Sequence, residues 1–176
     1  GGATPTSAAA SGEAVQGGSA EILVWNEVQS LDPLQFTSAA GSDGQRDFAI
    51  YGALVGYNPE SGDTEPIMAE SIEANATFDT WTLKLRSGLV FSDGTPYDAE
   101  AVKVNWERHQ KPENASRARA QAATIASLTV VDPTTLEIKL VAPNAVFPAS
   151  ISRSALNYVA SAKAIADGHD LANDPI

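Results

Sequence analysis

"WTLKLRSGLVFSDGTPYDAEAVKVNWER", residues 81–108, carries the chain from a strand to a helix, with a glycine break, an Asp-Gly turn and a proline in between. Trp81, Leu83 and Leu85 alternate with Thr82, Lys84 and Arg86. A period of two sets one strand face on a core and the other in water. Gly88 ends the strand, and "SDGTP", residues 92–96, makes a polar turn around Asp93-Gly94. Asp98 stands where a carboxylate caps a helix, and Val102, Trp106 and His109 form that helix's apolar stripe. The punctuation therefore predicts scaffold: a sharp passage from a sheet onto a helix that covers it.

Working outward, Ile72, Ala74, Ala76 and Phe78 alternate with Glu73, Asn75 and Thr77, which predicts a strand paired with 81–86 across Asp79-Thr80. Downstream, "SLTVVD" (127–132) and "TLEIKL" (135–140) flank Asp132-Pro133-Thr134 and predict a second hairpin. The expected fold class is α+β: one antiparallel or mixed sheet, taking four strands from these hairpins, flanked by helices. Helical patterns are expected over 46–54, in a short segment after Pro66 at "IMAES" (67–71), over 116–126, and from Ser161, whose hydroxyl can cap, to Gly168. "GYNPESGD" (56–63) reads as a Pro/Gly turn and "EILVWN" (21–26) as a short buried strand. Residues 1–20, almost free of large apolar side chains, are expected to form a disordered Gly/Ala/Ser tether, with 21–176 as the ordered part. They lack the basic start and apolar centre of a signal peptide.

With 176 residues the chain suits one ordinary domain, and it has no apolar run long enough to cross a bilayer as a helix. Acidic residues number 22 against 11 Lys plus Arg, a net charge of −11, and no basic stripe interleaves with aromatics. Nucleic acid is therefore not an expected partner. The absence of cysteine removes thiol nucleophiles, disulfides and thiolate metal sites. His109 and His169 are the only histidines and lie far apart in sequence, so neither a metal site nor a cofactor is expected. No Gly-x-Ser-x-Gly elbow, His-Glu-x-x-His motif or phosphate loop occurs, and no catalytic residue is assigned. Asp93, Asp98 and Glu100 leave a two-carboxylate hydrolase as a remote alternative. A stand-alone protein-interaction module is another.

The segment 81–102 resembles the signature of the peptide/nickel-type (family 5) solute-binding proteins of ABC importers: aromatic-x-apolar-x-Leu-Arg-x-Gly-apolar-x-Phe-x-Asp-Gly-x-Pro-aromatic-x-Ala-x-x-Val. "SLDPLQ" (30–35), "YGALVGYNPESGDTEPIMAESIE" (51–73) and "VVDPTTLEIKLVAPNAVFPASIS" (130–152) are similar to further elements of that family, in the family's order. The likeness extends over about residues 21–176. It implies part of lobe I of a two-lobed periplasmic-binding-protein-like fold, with the second lobe absent, so that the chain reads as an N-terminal fragment. It further implies a protein outside the cytoplasm, periplasmic or lipid-anchored, that captures a peptide or another small solute and delivers it to an ABC permease without chemistry. The Gly/Ser-rich start resembles the tether behind a lipid-modified cysteine; that cysteine is not in this sequence, so any lipid anchor is expected outside it.

By the same resemblance, the loop after Asp32-Pro33 approaches the ligand, which points to Phe36, Thr37 and Ser38. Residues 152–159 are similar to the family's cleft-side connection; there Ser154 and Asn157 would bond ligand backbone groups and Tyr158 would stack. Arg117 and Arg119 are candidates for an anionic ligand, since a guanidinium matches a carboxylate in bidentate geometry. Arg86, at a strand end, is expected to act locally.

Overall fold

The computed structural model describes Gly17, Glu21 and residues 27–36 and 42–176. Of the expected tether and the strand expected at 21–26, all but Gly17 and Glu21 lie outside these, as do Thr37 and Ser38. After a 3-10 turn at Pro33–Gln35, helix α1 (Ser42–Tyr51) runs to Gly52. There φ is +67°, and an added Cβ would collide with the Met68 methyl. The left-handed backbone favours glycine there, and any side chain would also make the Met68 methyl shift. Strands β1 (Val55–Tyr57) and β2 (Thr64–Pro66) follow as an antiparallel ribbon. In the turn between them the Asn58 side chain accepts from the Glu60 and Ser61 amides.

The short helix expected at 67–71 does not form. Ile67 N and Ala69 N both donate to Leu54 O, and Met68 N donates to Ala53 O, so the segment lies against the chain leading into β1. It continues as β3 (Ala69–Ala74), which pairs with β4 (Thr80–Leu85). Here tertiary hydrogen bonding outweighs a helical pattern too short to nucleate by itself. The first strand of this hairpin also stops earlier than its alternation suggests. Asn75 Oδ1 accepts from the Asp79 and Thr80 amides. Phe78 adopts φ +56° and stays 43% exposed, so Ala76 and Phe78 are turn residues rather than members of an inward face.

From β4 the chain turns over Asp93-Gly94 into α2 (Ala99–Gln110). Asp98 caps α2 by accepting from Ala101 N at 2.9 Å. Asp93 accepts from Thr95 N–H at 2.9 Å and from the Ser161 hydroxyl at 2.6 Å. These bonds hold its carboxyl below the usual range, with the Ser161 bond the largest cause. The helix expected over 116–126 shrinks to the single turn α3 (Arg119–Ala122), because Ile125 onward is claimed by strand β5 (Ile125–Asp132). Then come β6 (Thr135–Leu140), α4 (Phe147–Ser152) and α5 (Ala162–Ala166). Ser161 caps α5 through Ala164 N, and Gly168 follows it at φ +69°, both as the sequence predicts.

The four-stranded sheet has the order β3-β4-β6-β5 and is antiparallel throughout. Its register sets Trp81 against Ile138 and Leu83 against Leu136, and these four side chains are buried. Thr82, Lys84, Glu137 and Lys139 occupy the wet face. Helix α2 covers the dry face with Val102 and Trp106, both fully buried. Each such large apolar side chain contributes roughly 1.5–3 kcal/mol of transfer free energy. Trp106 also donates from Nε1 to Leu156 O at 2.8 Å and meets the Phe147 ring edge-on, with centroids 6.2 Å apart. A second, smaller core gathers Phe36, Tyr51, Tyr158 and Leu171 with several alanines. The two regions are bolted together by Asp32. Its carboxylate takes both arms of the Arg108 guanidinium, at 2.8 and 2.5 Å, and also caps the 3-10 turn through Leu34 N. Helices packed on an antiparallel sheet give the α+β architecture expected.

Candidate functional site

Between α1, β1 and residues 152–158 the surface opens into a pocket of about 850 Å³. Its walls come from segments a hundred residues apart, and Asn157 joins them. Its buried amide accepts from Val55 N–H at 3.0 Å through Oδ1 and donates to Val55 O at 2.9 Å through Nδ2. The Asn157 carbonyl accepts from Leu54 N at 3.0 Å as well. One side chain thus serves β1 as a second strand neighbour would, and a three-residue strand gains a fixed position. Tyr158 follows. Its hydroxyl donates to Gly44 O at 3.4 Å, and its ring packs at 5.0 Å on Phe36, which fixes α1 on the opposite wall. At the mouth, the Arg153 guanidinium lies 4.6 Å over the ring of Tyr57, and Phe48 stands 49% exposed on α1.

On the buried face of α1 sits an unusual carboxyl group. Asp47 is 1% exposed, and its carboxyl is raised from 3.8 to about 6, first by burial, with the neighbouring Arg46 guanidinium opposing the shift. Arg46 reaches Asp47 at 3.3 Å and Asp43 at 3.0 Å. Burial, with Asp47 adding to it, pushes the Tyr158 hydroxyl up to about 12. Because the folded state raises the Asp47 value, its contribution to stability is complete below pH 4 and is lost as pH rises from there through 6. The variant Asp47→Asn is therefore expected to be more stable than the parent at pH 7.5 by about 1–2 kcal/mol. That gain should vanish near pH 4. Urea unfolding of both proteins across this range measures the difference; a gain independent of pH would show that folding does not raise the Asp47 value.

The structure brings two of the candidate ligand residues, Asn157 and Tyr158, into the pocket wall. Phe36 is buried behind Tyr158. Ser154 is buried too, and its hydroxyl donates to Ile151 O at 3.2 Å. Arg117 and Arg119 are exposed around α3 and do not line the pocket. Arg153, Tyr57, Phe48 and Gln45 line it without having been singled out from sequence. Arg153 sits inside the segment that was, while Tyr57, Phe48 and Gln45 carry no comparable signal in the sequence.

The carboxylates of the hydrolase alternative are occupied elsewhere: Asp98 as a cap, Asp93 in its turn, and Glu100 toward Lys103 at 3.7 Å. His109 is buried against the Ser116 hydroxyl at 2.6 Å, and burial lowers its ring to about 4. Among the described residues no three His, Cys, Asp or Glu side chains gather as a metal would require, and no helix is long and apolar enough to cross a membrane.

Residues 63–176 match the family model described as bacterial extracellular solute-binding proteins, family 5 middle. The glutathione-binding protein GsiB of Escherichia coli K12 is 32% identical over 126 residues, covering 72% of this chain and 24% of that protein. The GsiB of Shigella dysenteriae is 28% identical over 155 residues, covering 88% of this chain and 30% of its own length. Among solved structures, AgaA of A. tumefaciens R10 in complex with agropinic acid superposes with a TM-score of 0.72 at 26% identity, over 84% of this chain and 29% of AgaA. Haemophilus influenzae OppA in complex with the peptide RPPGFSPFR shares the fold, with a TM-score of 0.71 at 21% identity, over 80% of this chain and 30% of OppA. The chain spans less than a third of the length of each of these proteins.

Proposed function

The chain belongs to the bacterial extracellular solute-binding proteins of family 5, and on that premise we propose that it forms part of the solute-capturing component of an ABC importer. In this role it works outside the cytoplasmic membrane, holds a peptide or another small solute without altering it, and delivers it to a permease. One observation carries the proposal: an open pocket of about 850 Å³ with no reactive group assembled among its described lining residues. Its walls are fixed by backbone-directed hydrogen bonds from Asn157 and Tyr158. A binding wall gains affinity from being formed before its ligand arrives. GsiB is named for glutathione, and the AgaA and OppA structures are complexes with agropinic acid and a peptide, which supports small polar solutes and peptides as the class to try first.

The test is a thermal-shift panel on the intact gene product carrying these residues, with di- and tripeptides, glutathione, an oligosaccharide and nickel-histidine. At least one solute should raise the melting temperature in a concentration-dependent way. Phe48→Ala should weaken that solute by roughly tenfold, the value of a lost aromatic contact. The unliganded protein should keep its stability to within about 0.5 kcal/mol, because Phe48 is half exposed. No shift with any solute, or chemical turnover of one of them, would overturn the proposal.

A further inference from the structure

The pocket's polar side chains divide into those already spent and those still free. Asn157 has both ends of its amide on Val55, the Ser152 hydroxyl donates to Ala149 O at 2.9 Å, and the Tyr158 hydroxyl donates to Gly44 O at 3.4 Å. Gln45, the Tyr57 hydroxyl and Arg153 line the same space with no hydrogen bond or ion pair to any described residue. Arg153 is the one charged side chain among the described lining residues. None of the described lining residues is an acid that could neutralise it.

Its posture matters as much as its charge. The guanidinium carbon lies 4.6 Å over the centroid of the Tyr57 ring, in cation–π contact with the aromatic. The N–H donors of the guanidinium stay available, and their fork suits a carboxylate in two-point contact. The chain's net charge of −11 disfavours anions at long range, but salt screens that field beyond about 8 Å at physiological ionic strength. A cation in direct contact then decides which solutes are held.

We propose that this pocket selects solutes bearing a free carboxylate, anchored by Arg153 in its stacked position on Tyr57, with an apolar body lying toward Phe48. The proposal rests on the pocket being the solute-capturing wall and adds the chemical class of its ligand. Gln45, across the pocket on α1, is free to bond a second polar group of the same solute.

The probes are N-acetylphenylalanine and N-acetylphenylalaninamide, which differ only in carboxylate against amide. Both are titrated calorimetrically into the intact gene product. The acid should bind at least tenfold more tightly than the amide. In Arg153→Gln that ratio should fall to within about twofold, while Arg153→Lys keeps part of it. Arg153 is exposed, so neither substitution threatens folding, and melting temperatures of the unliganded variants check this. Equal binding of acid and amide, an acid preference that survives Arg153→Gln, or binding of neither probe would overturn the inference. Amide signals of Gly56 and Tyr57 in a nuclear magnetic resonance titration separate the two levels. If neutral solutes of the wider panel perturb them and carboxylates gain nothing, capture stands and the carboxylate anchor falls; if no solute perturbs them, both fall.

Discussion

Trp106→Ala is expected to destabilise the chain by about 3–5 kcal/mol, the range for emptying a fully buried indole site. Among the described residues Trp106 is the largest fully buried side chain, and three interactions meet on it. It fills the space between α2 and the dry face of the sheet, it meets the Phe147 ring edge-on, and its Nε1 holds Leu156 O at 2.8 Å. The last contact links the sheet core to the segment that runs on to Asn157. Trp106→Phe separates the contributions: it keeps most of the apolar volume, removes the donor and leaves the Leu156 carbonyl without this partner, for an expected cost of about 1–3 kcal/mol. Urea unfolding followed by far-ultraviolet circular dichroism measures both. Should Trp106→Ala fail to fold, Trp106→Phe still reports the hydrogen bond. A loss below about 1 kcal/mol for the alanine variant would contradict the packing of α2 on the sheet.

The same helix shows which features of the fold are legible in the amino-acid sequence. Alternation of Trp81, Leu83 and Leu85, and of Leu136, Ile138 and Leu140, names the dry face, because a half-buried strand must obey a period of two. The Asp98 cap, the Ser161 cap and the stripe of Val102, Trp106 and His109 follow from local hydrogen bonding and helical spacing, and all appear as expected. Legibility ends where long-range bonds take over. β1 and β2 are three residues each, too short to show a period, and residues 67–69 are extended because Leu54 O and Ala53 O bind their amides. Ala76 and Phe78 continue the alternation in sequence, yet the Asn75 side chain closes the turn before them.

The pocket was legible in the same partial way. Asn157 and Tyr158 could be named through a segment similar to a known cleft connection, and both stand in the wall. Arg153 and Tyr57 could not be paired, since nothing in the spacing of residues 57 and 153 tells that one will stack on the other. Arg117 and Arg119 show the converse: a chemically suitable pair that the single turn of α3 leaves exposed and away from the pocket.

Asn157→Ala is expected to cost about 3 kcal/mol, from two backbone groups of Val55 stripped of their partner at a cost of about 1–3 kcal/mol each. Val55 is 1% exposed and Asn157 3%, so water does not readily replace either bond. The effect should reach function as well as stability. β1 carries Tyr57, and Tyr57 carries the stacked Arg153; once β1 is freed from Asn157, solute affinity should fall even under conditions where the variant remains folded. Asn157→Asp distinguishes loss of the clamp from loss of volume. Its shape is preserved and one oxygen can still accept from Val55 N–H, but an ionised carboxylate faces Val55 O where the amide donated. Burial and that carbonyl both favour the protonated form, so the folded-state pKa of the introduced carboxyl lies above its unfolded value. The deficit of Asn157→Asp relative to the parent should then be greatest at neutral pH and shrink as the pH falls, since the protonated carboxyl regains a donor for Val55 O. Urea unfolding at pH 7.5 and 4.5 reads the two deficits, with Asn157→Ala as the pH-independent reference. Equal deficits for Asn157→Asp at both values would mean that the Val55 carbonyl does not depend on this donor, and the clamp would reduce to its bond with Val55 N–H.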